Sequence, residues 1–127
     1  MDSEAKTIGQ QLVSLCQQGK YAEALDKLYA DDAISIEAMC MQEGQDRTTT
    51  GLDNIKKAGE WWEANHEVHG GEVIGPFPHD DRFAVLMKID VTPKVGPMAN
   101  QRMMMEEICL YTVKDGKIVK SEFFYSE

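Results

Sequence analysis

Basic residues are in short supply in this sequence: 13 Lys and Arg stand against 22 Asp and Glu over 127 residues, for a net charge of −9. Binding to phosphate backbones or anionic lipid rests on clustered Lys and Arg, so neither nucleic acid nor a membrane surface is expected as a partner. Solubility of a small protein is reason enough for the acidity. Long apolar runs are missing as well. Nowhere do the roughly 18 residues of a membrane-spanning helix run together. The stretch Met1-Asp2-Ser3-Glu4-Ala5-Lys6 is polar and acidic where a secretory signal would open on basic residues and an apolar run. A cytoplasmic protein is expected.

Cysteine and histidine are sparse. Cys16, Cys40 and Cys109 are odd in number and widely spaced, without a C-x-x-C pair. Neither a disulfide framework nor a zinc knuckle is indicated, and buried free thiols are the expected state. His66 and His69 lie three apart, on opposite sides of a strand. "HEVH" lacks the H-E-x-x-H spacing of zinc hydrolases, and His79 belongs to an exposed turn. There is no glycine-rich phosphate loop, no G-x-S-x-G elbow and no Cys–His spacing of a nucleophile with its base. No metal and no cofactor is expected. One of the first two histidines is a candidate proton shuttle, with a hydrogen-bonded structural role as the alternative.

What is present fits one globular domain over residues 1–127. Apolar residues make up 43% and charged residues 28%, and a chain of this length buries roughly two-thirds of its unfolded surface. Ile8, Leu12, Leu15 and Cys16 recur at helical spacing between Ser3 and Gln17, and Gly19 ends that segment. Tyr21, Ala24, Leu25 and Leu28 mark a second helix to about Tyr29, with Asp31-Asp32 as the turn after it. Ala33 to Ala38 alternate as a strand, with Ile34 and Ile36 on one face and Ala33, Ser35 and Glu37 on the other. Residues 42–50 read as loop. Thr50-Gly51-Leu52-Asp53 has capping-box spacing for a third helix whose stripe is Ile55, Ala58, Gly59 and Trp62.

Beyond Asn65 the period changes to two. Strands are predicted over Glu67–Phe77, with a bulge at Gly70-Gly71, and over Arg82–Val91, with Phe83, Val85, Met87, Ile89 and Val91 on one face. Two more are predicted over Gln101–Val113 and Ile118–Tyr125, joined by a hairpin turn at Lys114-Asp115-Gly116-Lys117. Three helices followed by a meander of long strands describe an α+β domain, with helices on one face of a curved, mainly antiparallel sheet.

The order of these elements, with "YADDAISIE", "TTGLDNIKKAGEWW", "FAVLMKIDVT" and "LYTVKDGKIVKSEFFY" in place, resembles the NTF2-like superfamily over nearly the whole chain. Within it the chain is similar to the SnoaL-like and ketosteroid-isomerase-like group. The resemblance implies a cone of sheet wrapped around a helix, leaving a mostly apolar cavity open at one end. Trp61, Trp62, Phe83, Phe123, Phe124 and Tyr125 suit the lining of such a pocket, or else simply fill the core.

By the same resemblance, Glu37 takes the position of the general base that steroid isomerases of this group use to move a proton beside a carbonyl. Partial burial suits a carboxylate to that task by raising its pKa. The group's tyrosine and protonated aspartate, which polarise the carbonyl, fall near Leu12 and Cys109. Neither supplies a strong donor, so steroid isomerase itself is rejected, while another proton transfer or a cyclase-like reaction stays open. The plain alternative is a solvated Glu37 at a strand end. A partner for it is sought in Arg47 or on the strand at 106–111.

In Met103-Met104-Met105-Glu106-Glu107, alternation sends Met103, Met105 and Glu107 to one face and Met104 and Glu106 to the other. Alignment with the group favours Glu106 for the cavity. The expected site is thus Glu37 and Glu106 as catalytic candidates, with Trp62, His66, Phe83, Met105, Phe123 and Tyr125 lining the pocket. Three roles follow: an acid–base enzyme acting on a small, largely apolar carbonyl compound, a non-catalytic ligand-binding or dimerisation module, or a protein-interaction domain. Leu86, Met104 and Ile108 on the face away from the helices, together with the habit of this group, point to a homodimer through the sheet.

Overall fold

A computed structural model describes residues 3–38 and 46–125. Its first helix, α1 (Glu4–Gln17), starts where Ser3 accepts a hydrogen bond from the Lys6 amide at 3.1 Å. It stops at Gly19, whose φ of 75° lets Lys20 N–H reach the Leu15 carbonyl and Gly19 N–H the Cys16 carbonyl. That pair of bonds is a Schellman motif, which satisfies carbonyls a helix end would otherwise orphan. Helix α2 (Tyr21–Leu28) follows at once, and with α1 it buries Leu12, Val13, Cys16, Ala24 and Leu28 in one core.

Helix α3 (Leu52–Ala64) starts differently from the sequence expectation. Gly51, at φ 90°, is its N-cap, and no side chain caps it. Thr50 is withdrawn from capping because it sits in a short strand, β2 (Thr48–Thr50), opposite Ile34. Only Leu52 and Ile55 of this helix are buried. Ala58, Gly59 and Trp62, expected as core stripe, face a cavity instead.

Strand β1 (Tyr29–Ile36) begins four residues before the predicted strand. It runs parallel to the last strand, β6 (Lys117–Tyr125), and a register shift between Tyr29 and Ile34 absorbs Asp31-Asp32 as an exposed irregularity rather than a turn. The other strands form a meander: β3 (His66–His79), β4 (Arg82–Pro93) and β5 (Met103–Lys114). At the tip of the β5–β6 hairpin, Asp115 and Gly116 both have positive φ, 52° and 76°, the geometry in which turn twist matches strand twist. The predicted bulge appears as a register shift between Val68 and Gly70. Among the described residues the sheet order is β2-β1-β6-β5-β4-β3, with β1 and β6 the one parallel pair.

The three helices pack on one face of this curved sheet. That face carries Phe83, Val85, Met87 and Val91 of β4, Cys109, Tyr111 and Val113 of β5, and Ile118 and Ser121 of β6, all buried. Helix α1 approaches β3 so closely at Gly9 that a Cβ there would stand 2.8 Å from Pro76 Cβ and 3.1 Å from the Phe83 ring. The opposite face keeps Met104, Ile108 and Phe124 exposed.

Candidate functional site

Between the helices and the inner sheet face lies a cavity of about 790 Å³, within the range of small-molecule sites. Its depth can be read from burial. At the closed end are Leu12, Cys16, Tyr29, Ser35, Tyr111 and Ser121, all buried; toward the mouth lie Trp61, Glu63, Val68 and Tyr21, all exposed. Apolar side chains such as Ile55, Met87, Ile89, Met105 and Phe123 make up much of the wall.

Four acidic residues line this space, Glu37, Asp46, Glu63 and Glu107, and burial raises the pKa of two of them, Glu37 and Glu107. Glu37 follows the last residue of β1, where its amide donates to the Arg47 carbonyl at 2.8 Å. Its carboxylate accepts from the Ser35 hydroxyl at 3.1 Å, so Ser35 is the side-chain partner sought in Arg47. Burial raises the Glu37 pKa above the usual carboxylate value, and the Ser35 hydrogen bond partly offsets the rise. Glu107, on β5, stands between Met87 and Tyr125 in register. Burial pushes its pKa up to about 7; the Cys109 thiol, donating at 3.7 Å, opposes that shift and the Glu37 charge adds to it. Tyr125 feels both acids, and burial together with their charges holds its phenol protonated well above the ordinary range.

Glu106 does not belong to this pair. It is exposed on the outer face, in register with Lys88. The physical reason is strand parity: Cys109, Tyr111 and Val113 are the buried residues of β5, and Glu107 shares their face while Glu106 does not. Phe83 also leaves the expected lining. It is 1% exposed and stacks on Tyr111 with ring centroids 4.8 Å apart, backing a wall residue rather than forming the wall.

Trp62, His66, Met105, Phe123 and Tyr125 do line the cavity. The His66 ring lies flat on Trp62, with centroids 4.3 Å apart and planes 9° apart, and meets Trp61 edge-on. Its Nδ1 is 2.8 Å from the Trp62 carbonyl, which can only accept, so Nδ1 is the donor of this bond. His69 pairs with Thr92 Oγ1 at 2.8 Å and His79 is exposed, so neither joins His66. Among the described residues no group of three or more His, Cys, Asp or Glu could hold a metal ion.

Leu12 lines the cavity and Cys109 is buried beside Glu107. Cys16 and Cys109 are both free, and Cys40 lies outside the described residues. Burial pushes the Cys16 thiol up to about 11, which keeps it protonated and unreactive. The polar groups that sequence reading passed over are Glu107, Ser35, Ser121 and the phenols of Tyr29 and Tyr111. Burial holds both phenols protonated, as donors.

The SnoaL-like domain model matches residues 4–125. The chain belongs to the SnoaL-like family. A protein from Mesorhizobium loti named as a candidate SnoaL-like polyketide cyclase is 43% identical, with 94% of this chain and 97% of that chain covered and a TM-score of 0.85. At lower identity the fold alone carries over. An NTF2-like protein of unknown function from Burkholderia pseudomallei is 14% identical, covering 98% and 92% of the two chains at a TM-score of 0.73. A hypothetical protein with a ketosteroid isomerase-like fold from Catenulispora acidiphila, solved with trimethylamine, is 18% identical, covering 92% and 83% at a TM-score of 0.68. Among curated proteins none matches. The SnoaL-like domain thus has the α+β cone of NTF2-like proteins, and no helix among its described residues is long and apolar enough to cross a membrane.

Proposed function

We propose that this SnoaL-like domain is an acid–base enzyme acting on a small, largely apolar carbonyl compound held in the cavity. The observation that carries the reading is the pair of acids on one apolar wall, Glu107 with its pKa lifted to about 7 and Glu37 beside a hydroxyl donor. Two titratable groups whose surroundings push them apart are the usual arrangement for base and acid. Glu37, ionised, takes a proton from the carbon next to the carbonyl, leaving an enolate. Glu107, protonated at the start, returns a proton to the same carbon or, where a neighbouring double bond extends the enolate to a dienolate, to its far carbon, which shifts the double bond. The two glutamates then exchange protons with water at the mouth. In a longer polyketone the enolate carbon could instead attack a second carbonyl and close a ring, the reaction type named for the Mesorhizobium loti relative.

The test is deuterium incorporation into the acetyl methyl group of 2-acetylnaphthalene in D₂O, followed by NMR. Wild type accelerates the exchange, and Glu37→Gln lowers the rate by about 100-fold or more while leaving affinity unchanged. Equal rates in the two proteins remove Glu37 as base and favour a ligand-binding module.

We also propose a homodimer formed sheet to sheet. Ile74, Leu86, Ile108 and Phe124 stand opposite one another in register, making one apolar row across four strands of the outer face. Beside it runs a row of Glu72, Lys88 and Glu106, of mixed sign and so able to pair with its own copy about a two-fold axis. A cytoplasmic setting suits the unpaired Cys16 and Cys109. One core joining all three helices to the sheet supports a single domain over 1–127.

A further inference from the structure

Ser121 occupies an unusual place at the closed end of the cavity. It is 1% exposed, and its Oγ is the one buried side-chain oxygen or nitrogen among the described residues without a hydrogen-bond partner. A buried hydroxyl left unsatisfied costs stability that an apolar side chain of similar size would not. Its neighbours do not relieve it. In register it lies between Ser35 of β1 and Tyr111 of β5, and the Ser35 hydroxyl is committed to Glu37. The Tyr29 phenol stands close enough to Ser121 for a weak hydrogen bond that lowers the phenol's pKa, but not in the geometry that would satisfy the Ser121 Oγ. Both residues line the cavity.

We propose that Ser121 and Tyr29 form a hydrogen-bond donor site at the closed end of the cavity that receives the carbonyl oxygen of the ligand. A carbonyl oxygen has two lone pairs and can accept from both hydroxyls at once. The rest of the cavity argues for the same orientation. Glu37, when ionised, can only accept, so it repels an oxygen, whereas hydroxyls at the closed end attract one. Glu37, just past the end of β1, lies two residues from Ser35, the neighbour of Ser121, a separation of roughly 7 Å between Cα atoms in extended chain. With the glutamate side chain reaching back, a carbonyl oxygen on Ser121 leaves the adjacent carbon near the Glu37 carboxylate. The two hydroxyls then supply the stabilisation of developing oxygen charge that Leu12 and Cys109 cannot. This inference rests on the cavity holding a carbonyl compound, and on nothing about turnover.

The test compares 2-acetylnaphthalene with 2-ethylnaphthalene, close in shape and differing by the carbonyl oxygen, by titration calorimetry on wild type, Ser121→Ala and Tyr29→Phe. Wild type is expected to prefer the ketone by about 10-fold, one hydrogen bond's worth. Ser121→Ala is expected to erase the preference, leaving the hydrocarbon's affinity unchanged and the unliganded protein's melting temperature undiminished. A purely structural hydroxyl would give the opposite pattern, with lower melting temperature and intact preference, and that result overturns the proposal. The infrared carbonyl stretch of bound ketone should lie lower in wild type than in Ser121→Ala; the same frequency in both also overturns it. If Ser121→Ala does not fold, Tyr29→Phe carries the test, since an unchanged ketone preference there defeats the shared site. A Ser121-dependent preference without deuterium exchange sinks the enzyme reading and leaves the donor site standing; binding of neither compound removes both.

Discussion

The Ser35 hydroxyl of β1 donates across 3.1 Å to the carboxylate of Glu37, two residues on and just past the strand's end. Burial raises the Glu37 pKa and this bond lowers it, so the hydroxyl favours the ionised form that the proposed base requires. Removing it in Ser35→Ala should move the Glu37 pKa further up, because a donor to the charged form is lost. NMR titration of the Glu37 carboxyl carbon reads the shift directly. In deuterium-exchange assays the acid limb of the pH profile should move to higher pH by a similar amount.

Glu107 makes stability depend on pH in the sense opposite to an ordinary salt-bridged acid. Its pKa of about 7 exceeds the ordinary glutamate value of 4.5, so between these values the folded state binds the extra proton. The stabilisation is complete below about pH 4.5 and is lost as pH rises through about 7, amounting to roughly 3 kcal/mol at most. Glu107→Gln should flatten that part of the curve. Urea unfolding at pH 5 and pH 8 measures it: wild type loses more stability than the variant over the interval.

The outer sheet face predicts assembly. Ile108 is exposed at the centre of the row formed by Ile74, Leu86 and Phe124. Ile108→Lys should convert a dimer to a monomer, because a desolvated lysine without a partner is costly at an apolar interface. Light scattering at increasing concentration decides it; a wild-type monomer throughout would retire the dimer.

Gly9 and Gly59 are both helical glycines, yet alanine should act on them with opposite sign. At Gly9 a Cβ would press into Pro76 and Phe83, so Gly9→Ala should destabilise by about 1–3 kcal/mol through overpacking. At Gly59 nothing lies within 4 Å, so Gly59→Ala should stabilise by about 0.5–1 kcal/mol through helix propensity. Thermal unfolding of the two variants side by side checks both signs.

Local rules carried much of the fold. The apolar stripe of α1, the Gly19 stop, the Asp115-Gly116 hairpin and the face shared by Phe83, Val85, Met87 and Val91 were legible, because each depends on residues a few positions apart, whereas the α3 stripe was core only at Ile55. The site was half legible. Resemblance singles out Glu37, which lines the cavity, and strand parity with Cys109, Tyr111 and Val113 on β5 puts Glu107 rather than Glu106 on the inner face. The capping role assigned to Thr50 failed because strand pairing with Ile34 claimed that residue first.

By itself the sequence determined the period of each segment, the residues that share a face, and the acidic, cysteine-poor character of the chain. Periodicity alone does not say which face turns inward or what closes over it. The parallel pairing of β1 with β6 joins residues more than 80 positions apart, and it is this pairing that sets Ser35 beside Ser121. Burial of Glu37 and Glu107 likewise depends on helices and strands distant in the chain removing water from both. Desolvation is a property of the assembled surroundings, so the raised pKa values and the unsatisfied Ser121 hydroxyl exist only once the helices have closed on the sheet.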